Sequence, residues 1–387
     1  MQVNFWYFCE MKPARTPIIL WFFVSLTSNA QISKIEYYND IDNKVVVYSK
    51  KKDQNMDSVI RYVNNNFKSK EDKIRAYHTW IALNVKYDTE RPKFFGEGIS
   101  RYAQSAVFAP GQDVDSVFKN KMAVCEGFSD LMVKLCSGSA IKCKRVIGYS
   151  KTPEGKVLTE SMHVWNVVKA DSVYCLLDIT WSNGYLNGEG KYVKRFSDKY
   201  FFASPEVFGK DHYPVDPRWQ LVDYPISFNS FKQDTVLTSK KLYNYSDSIE
   251  AYFKLSVEEQ DLLDYQLMYL SDPTDSLLAH DLDVKVNNAA LKQINSGKYH
   301  YDEYAAYNNN ILRINMTGTN IKQARLKLTD SKKRYIKARN ILKNRKGRTI
   351  YYKNEFEKMD MHIDICLMEI EQQYIRLVKL EKTQKKK

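Results

Sequence analysis

Apolar residues recur at spacings of three and four between residues 55 and 90: Val59, Ile60, Val63 and Phe67, then Ile74, Tyr77, Ile81 and Val85. That period places them on one face of each of two successive helices. Ahead of them, Ile35-Glu36-Tyr37-Tyr38 and Val45-Val46-Val47-Tyr48, within residues 31–48, read as a short strand or entry segment. Residues 90–117 hold Pro92, Gly96, Gly98, Pro110 and Gly111 and read as a loop. Helical spacing returns over 124–137, where Val124, Phe128, Leu131, Met132 and Leu135 face inward and Gly138 is placed to end the helix. Residues 144–149, 163–168 and 173–179 then alternate or are β-branched and read as strands, with turns at Pro153-Glu154-Gly155 and Ala170-Asp171-Ser172. Helices followed by a run of strands argue for an α+β core rather than a doubly wound parallel sheet.

After residue 232 the pattern turns helical throughout. Asp247-Ser248-Ile249-Glu250 and Ser256-Val257-Glu258-Glu259 have the form of capping boxes. Further on, Ile321, Leu328, Tyr335 and Leu342 recur every seven residues, with Ala324, Ser331 and Ala338 three positions later. Tyr352, Phe356, Met359, Ile363, Cys366 and Ile370 make a second stripe beyond Arg345-Lys346-Gly347-Arg348. Two stripes across a short glycine turn predict an antiparallel helical hairpin, with Cys366 in its core. The expected organisation is a leader at 1–30, an α+β domain at 31–232, a helical region at 233–310 and a basic helical hairpin at 311–387.

The composition, 44% hydrophobic and 27% charged over 387 residues, is that of a globular protein with room for two or three domains. The net charge of +13 sits mainly at one end, because residues 301–387 carry 21 Lys/Arg against 10 Asp/Glu. The region with the richest chemistry is close to neutral, so the overall charge says little about a substrate. The basic run from Lys332-Lys333-Arg334 to Arg348 reads first as the solvated face of paired helices. Its functional reading is attachment to an anionic envelope polymer, a lipid headgroup or an acidic protein partner. No nucleic-acid module is recognisable.

Met11-Lys12-Pro13-Ala14-Arg15, the apolar run 18–26 and Ser28-Asn29-Ala30 have the three parts of a secretory leader, with Met11 as an alternative start. The apolar run falls short of the ~20 residues that a membrane-spanning helix needs. Export to a periplasmic or extracellular location is the expectation. Cleavage after Ala30 would leave five of the six cysteines, an odd number that leaves at least one free thiol. Cys136 and Cys143, seven apart, are a candidate disulfide. No cysteine spacing resembles a metal site, and no cofactor-binding motif is found. Cys175, on a strand, reads as a structural thiol.

The candidate chemistry lies in Cys125, His163 and Asp178. Cys125 stands where a polar linker gives way to the helix at 124–137. A thiol there becomes a useful nucleophile when a helix N-terminus and an imidazole favour its thiolate. Gly127 leaves room beside it for a substrate or a neighbouring strand. His163, Trp165 and Val167 share one strand face, while Tyr174, Leu176 and Asp178 share a face of the next. If the two strands pair around residues 169–172, imidazole and carboxylate come opposite each other. Taken singly, a cysteine at a helix start or a histidine on a strand is more often structural. Asp178 is more telling, because an unpaired buried carboxylate is costly. His78, on an apolar helix face, reads as a core histidine. His212, in Asp211-His212-Tyr213-Pro214, reads as part of a domain-closing turn, and Trp165 as a packing wall.

The segment around Cys125, the strand His163-x-Trp165-Asn166 and the segment Leu177-Asp178-Ile179-Thr180-Trp181 resemble the transglutaminase-like superfamily, and within it the bacterial and kyphoscoliosis-peptidase-like branch. The flanks resemble it too, in the helix Ala76-Tyr77-His78-Thr79-Trp80-Ile81-Ala82-Leu83-Asn84-Val85-Lys86-Tyr87-Asp88, in Phe201-Phe202-Ala203-Ser204-Pro205-Glu206 and in the run from His212 to Leu221. The likeness covers about residues 40–232. It implies a papain-like α+β core in which a cysteine helix packs on an antiparallel sheet that carries histidine and aspartate. It leaves open an acyltransferase, a peptidase, an amidase or a catalytically dead binding module.

The expectation is therefore a metal-independent, cysteine-dependent hydrolase or acyltransferase acting on peptide or isopeptide-type amides of a peptide or protein substrate. Cys125 would attack, His163 would carry the proton and Asp178 would orient His163. The Cys125 backbone N–H would be one oxyanion donor, with the second unassigned. The rival expectation is a non-catalytic binding or scaffold module that works through its basic helical tail.

Overall fold

A computed structural model describes residues 36–89, 113–159, 162–187, 189, 191–235, 241–311, 318–344 and 352–384. The leader pattern, most of the 90–117 loop and the glycine turn at 345–348 lie outside the described residues. The first described element is a helix, α1 (36–49), where a short strand or entry segment was expected. Tyr38, Ile41, Val45 and Tyr48 are buried at helical spacing, while Val47 is exposed. Burial of that face outweighs the strand preference of three consecutive valines.

Helix α2 (Met56–Asn66) opens with a capping box between Asn55 and Ser58, and α3 (Lys70–Asn84) is capped by Ser69. Strand β1 (Lys86–Tyr87) pairs in parallel with β2 (Met122–Ala123). Between them lies α4 (Val114–Asn120), capped by Asp113, so the end of the expected loop is helical. Helix α5 (Cys125–Ser137) follows β2 directly and ends at Gly138.

The sheet begins with β3 (Cys143–Ser150), β4 (His163–Ala170) and β5 (Val173–Leu177). It is interrupted by α6 (Ile179–Asn183) and the small hairpin of β6 (Gly184–Leu186) and β7 (Tyr192–Lys194). Strand β8 (Phe201–Ala203), helix α7 (Pro205–Phe208) and β9 (His212–Pro214) complete it. The order is β8-β5-β4-β3-β9, with every neighbouring pair antiparallel.

In the β4–β5 hairpin Val167 stands opposite Leu176 and Asn166 opposite Leu177. Trp165 and Val167 therefore share a face with Tyr174 and Leu176, and Asn166 and Val168 share the other with Leu177. Val168 and Leu177 pack into the core built from α1 to α5. Trp165, Val167, Tyr174 and Leu176 pack instead against Ile249 and Tyr252, on helix α9 (Tyr245–Phe253), which follows α8 (Phe228–Lys232). Polar latches hold this outer layer. Glu250 receives Tyr174 Oη at 2.8 Å and pairs with Lys142 at 3.1 Å. Asp264, on α10 (Val257–Ser271), pairs with Lys144 at 2.6 Å and receives Tyr252 Oη at 2.9 Å. The sheet thus lies between two helical layers.

Of the two expected capping boxes, Ser256–Glu259 forms, with Glu259 accepting from the Ser256 N–H at 2.8 Å. The other does not: Asn244 caps α9 and Asp247 lies inside its first turn. Asn244 is one residue outside the apolar face and has the same capping chemistry as Asp247.

Three long helices follow: α11 (Ser276–Ile311), α12 (Gly318–Asn344) and α13 (Lys353–Gln384). The expected stripe of α12 is buried, from Ile321 to Leu342, including Ala324, Ser331 and Ala338. Its small residues let α11 approach, and Ser331 Oγ donates to the Gly297 carbonyl at 2.8 Å. Helices α12 and α13 run antiparallel, tied by Arg325–Glu381 at 2.7 Å, Lys332–Glu371 at 2.8 Å and Arg339–Asp364. Lys337 reaches Glu259 on α10 at 2.7 Å. Much of the basic run is therefore matched by acids of the same chain. Among the described residues no helix is long and apolar enough to cross a membrane.

Gly148 lies on β3 between His163 on β4 and Pro214 on β9. A Cβ there would come within 2.1 Å of the Tyr213 carbonyl oxygen and 2.5 Å of Trp165 Cη2. Since backbone and a packed indole cannot both give way cheaply, Gly148→Ala is expected to cost about 2 kcal/mol or more, measured as a lower urea midpoint.

Candidate active site

Cys125 is the first residue of α5. Its N-cap, Val124, is extended (φ −94°, ψ 179°) and has no side chain able to cap the helix. The thiol is partly exposed at a helix end whose backbone dipoles favour an anion. The β1–β2 pair fixes where this end falls, because β2 runs into α5 with Val124 alone between them.

His163 is the first residue of β4. Asp178 stands one residue beyond β5, so it is not inside a strand as expected; it is the N-cap of α6. Its backbone N–H still donates toward β8, to the Tyr200 carbonyl at 3.0 Å. Its Oδ1 accepts the Trp181 N–H at 3.1 Å. His163 Nε2 lies 2.7 Å from Asp178 Oδ2, and the Cys125 thiol is near enough to the ring to help raise its pKa. With Nε2 engaged by the carboxylate, Nδ1 is the nitrogen left for sulfur. The structure therefore brings thiol, imidazole and carboxylate to one place, with the imidazole and carboxylate hydrogen-bonded.

A second imidazole joins them. His212 Nε2 is 3.1 Å from the same Asp178 oxygen, and its Nδ1 is 2.7 Å from Asp211 Oδ1. Carboxylates only accept, so both bonds require both ring nitrogens to carry protons. His212 is thus held as a buried imidazolium between two anions. Burial alone would lower its pKa, but the bonds to Asp178 and Asp211 outweigh that and raise it. Burial likewise opposes ionisation of Asp178, yet His163 and His212 hold its carboxyl far below the usual range. Burial works against the His163 cation as well, and the Asp178 charge prevails, taking the pKa to about 9.

Other residues position these groups. Asn166 Nδ2 donates to the Ser129 carbonyl at 3.1 Å, pinning the histidine strand to the cysteine helix. The Trp181 ring stacks on His163 with centroids 5.3 Å apart and an interplanar angle of 26°, and lies 4.5 Å from His212. Glu126, the buried residue that follows Cys125, is drawn into an ion pair with Arg145 at 3.0 Å, so its charge is compensated. Tyr200 Oη donates to Asp211 at 2.5 Å, steadying the far end of the His212 bridge. Arg75, 1% exposed, binds Asp42 on α1 and Asp198 in the turn that leads to Tyr200.

Trp165 packs beside His163, with centroids 6.0 Å apart. His78 is fully buried against Phe196 and Phe201, and burial drives its pKa well down, so it is a neutral core histidine. Cys136 and Cys143 are neighbouring free thiols; burial and then Cys136 raise the pKa of Cys143. Cys366 is a partly buried member of the bundle core.

His163, Asp178 and His212 offer three donor atoms within 4.8 Å of one another, a set that could ligate a metal ion. Those atoms are the ones already joined at 2.7 and 3.1 Å. Ligation needs lone pairs on both Nε2 atoms, whereas the hydrogen bonds need protons there, so the two uses exclude each other.

Residues 57–179 match the family model described as the transglutaminase-like superfamily, and this part of the chain is a transglutaminase-like domain. The mouse protein named kyphoscoliosis peptidase is 26% identical over 178 residues, which is 45% of this chain and 25% of that protein. Its human counterpart is 25% identical over the same shares. A Caenorhabditis elegans protein named Lim and transglutaminase domain protein ltd-1 is 20% identical over 51% of this chain and 28% of its own length. The chain thus spans about a quarter of the length of these relatives. A solved structure titled "Crystal structure of a TGase" aligns at 19% identity over 47% of this chain and 42% of that one, with a TM-score of 0.25, too low to carry an argument.

His212→Phe keeps a ring in place but leaves Asp178 and Asp211 facing each other without the cation. Loss of about 3 kcal/mol in urea unfolding at neutral pH is expected. His212, with its raised pKa, stabilises fully below the ordinary imidazole range, an effect lost as pH rises through its folded value. Asp178 and Asp211, with lowered pKa values, stabilise above the ordinary carboxylate range, an effect lost as pH falls through their folded values. The gap between wild type and variant should therefore narrow in acid, which unfolding curves at a series of pH values would show.

Proposed function

We propose that this chain is a cysteine-dependent hydrolase or acyltransferase that acts on peptide or isopeptide-type amides through Cys125, His163 and Asp178. The observation that carries the proposal is the His163 Nε2–Asp178 Oδ2 bond of 2.7 Å on a ring that lies near enough to the Cys125 thiol to feel its charge. An imidazolium beside the sulfur is the electrostatic condition for a nucleophilic thiolate.

In the proposed reaction the Cys125 sulfur adds to an amide carbonyl carbon. His163 Nδ1–H gives its proton to the departing amine as the C–N bond breaks, leaving a thioester. Water then loses a proton to His163 and attacks, releasing a carboxylic acid; an amine attacking in its place forms a new amide. Asp178 holds the ring in the tautomer that keeps Nδ1 toward sulfur. The open N-terminus of α5 supplies the Cys125 N–H as an oxyanion donor. The name of the mammalian relatives supports the peptidase branch. Export through the pattern at 11–30 belongs to the same proposal and would place the substrate outside the cytoplasm.

Iodoacetamide near neutral pH should label Cys125 ahead of the other described thiols. His163→Ala should slow that labelling by about tenfold or more, read by peptide mass spectrometry. Amide cleavage or amine incorporation into peptide libraries should vanish in Cys125→Ala. Slow, equal labelling of every thiol together with wild-type behaviour of Cys125→Ala would overturn the proposal and leave the binding-module reading.

A further inference from the structure

Helix α13 has two apolar faces. One, with Phe356, Ile363, Ile370 and Leu377 at seven-residue intervals, is buried in the bundle. The other carries Met361, Ile365, Met368 and Ile375, each between 52% and 65% exposed. Gln372 fills the one polar position in this second series of alternating four- and three-residue steps. At 3.6 residues per turn the second stripe lies directly opposite the first. Single exposed apolar residues are ordinary, but four in one seam about 21 Å long make the pattern of a helix-pairing face.

The flanks of the seam say what covers it. One edge carries Glu355, His362, Glu369 and Arg376, all exposed. On the other edge Asp364 and Glu371 are already paired with Arg339 and Lys332 on α12. A second copy of α13, laid antiparallel with Ile365 opposite Met368, stacks Met361 on Gln372 and lets the Lys358 stem lie over Ile375. In that register Glu355 faces Arg376 and His362 faces Glu369, each twice by symmetry. A shift of one heptad either way sets Glu369 against itself or against Glu355. A parallel pair sets Asp364 beside Glu369. The apolar layers and the charges thus select the same arrangement.

We propose that the outward face of α13 is a homodimer interface, in which two copies of the chain pair antiparallel about a two-fold axis near residues 366 and 367. The interface uses no residue of the Cys125 site, so it stands or falls apart from the proposed catalysis.

Sedimentation of the intact chain tests it, at about 0.15 M salt, where repulsion between two basic chains is screened beyond about 8 Å. A reversible monomer–dimer equilibrium is expected, with a Kd of about 1 to 100 µM, as suits an interface of modest size. Met368→Lys should leave only monomer, with an unchanged urea midpoint because Met368 is exposed. Glu355→Arg and Arg376→Glu should each weaken the dimer about tenfold, since two exposed pairs turn from attraction to repulsion. The double variant should restore it. A parallel dimer would show no such rescue, because residues 355 and 376 would lie about 31 Å apart along its axis. A wild-type chain that stays monomeric at every concentration would overturn the proposal, and flotation with phosphatidylglycerol vesicles would then assign the face to a lipid surface. A dimer that survives Met368→Lys, or charge swaps that the double variant does not rescue, would overturn it as well.

Discussion

The buried carboxylate of Asp178 is the constraint that the rest of the site answers. An anion with no solvent exposure is tolerated only when donors surround it. Here three arrive from three elements: His163 from the start of β4, His212 from β9, and the Trp181 backbone N–H from the first turn of α6. None of these elements is near both others in sequence. The strand order β8-β5-β4-β3-β9 brings them together, since the β3–β4 and β3–β9 registers place His163 and Pro214 on either side of Gly148. The fold and the protonation state of the site are thus one problem. Losing a donor would leave a charge that cannot reach water.

Asp178 also links the two imidazoles electrostatically while keeping them distinct. His212 is saturated by carboxylates on both nitrogens and has no atom left for proton transfer. His163 has one carboxylate and one thiol, so it keeps an exchangeable position. The same residue type therefore serves as a fixed cation at one place and a proton carrier at the other. Around them the sheet is covered on both faces, by α1 to α5 on one side and by α9 on the other. The bundle behind them spends much of its basic charge on its own acids. Its net positive charge is therefore weaker support for an anionic partner than the sequence count alone suggests.

Period-two alternation made the pairing of His163 with Asp178 legible, because a hairpin at 169–172 aligns the parity of two short strands however the rest of the chain folds. The stripes of α12 and α13 were legible for a similar reason: seven-residue spacing is a local signal. What escaped was long-range or competitive. Asp211-His212-Tyr213-Pro214 looks like any closing turn, and only the β3–β9 register carries His212 to Asp178. Asn166 has the opposite parity to His163 and so points toward α5, a role that could have been inferred once that helix was placed on the sheet. Residues 36–49 misled because Val45-Val46-Val47 favours a strand locally, whereas Tyr38, Ile41, Val45 and Tyr48 bury a helical face. Asp178 misled more mildly: an Asp before Ile-Thr-Trp can end a strand or cap a helix, and it caps one.

The central claim is that Asp178 sets the charge of His163 against the pull of burial. Titrating the six histidines by NMR, with His163→Gln used for assignment, tests it directly. The account predicts that His163 titrates near pH 9 in the wild-type protein. In Asp178→Asn, where Cys125 alone is left to oppose burial, it should fall well below the wild-type value, toward the ordinary imidazole value of about 6.5. A wild-type His163 that titrates at or below that value, or one that Asp178→Asn leaves unmoved, would contradict it.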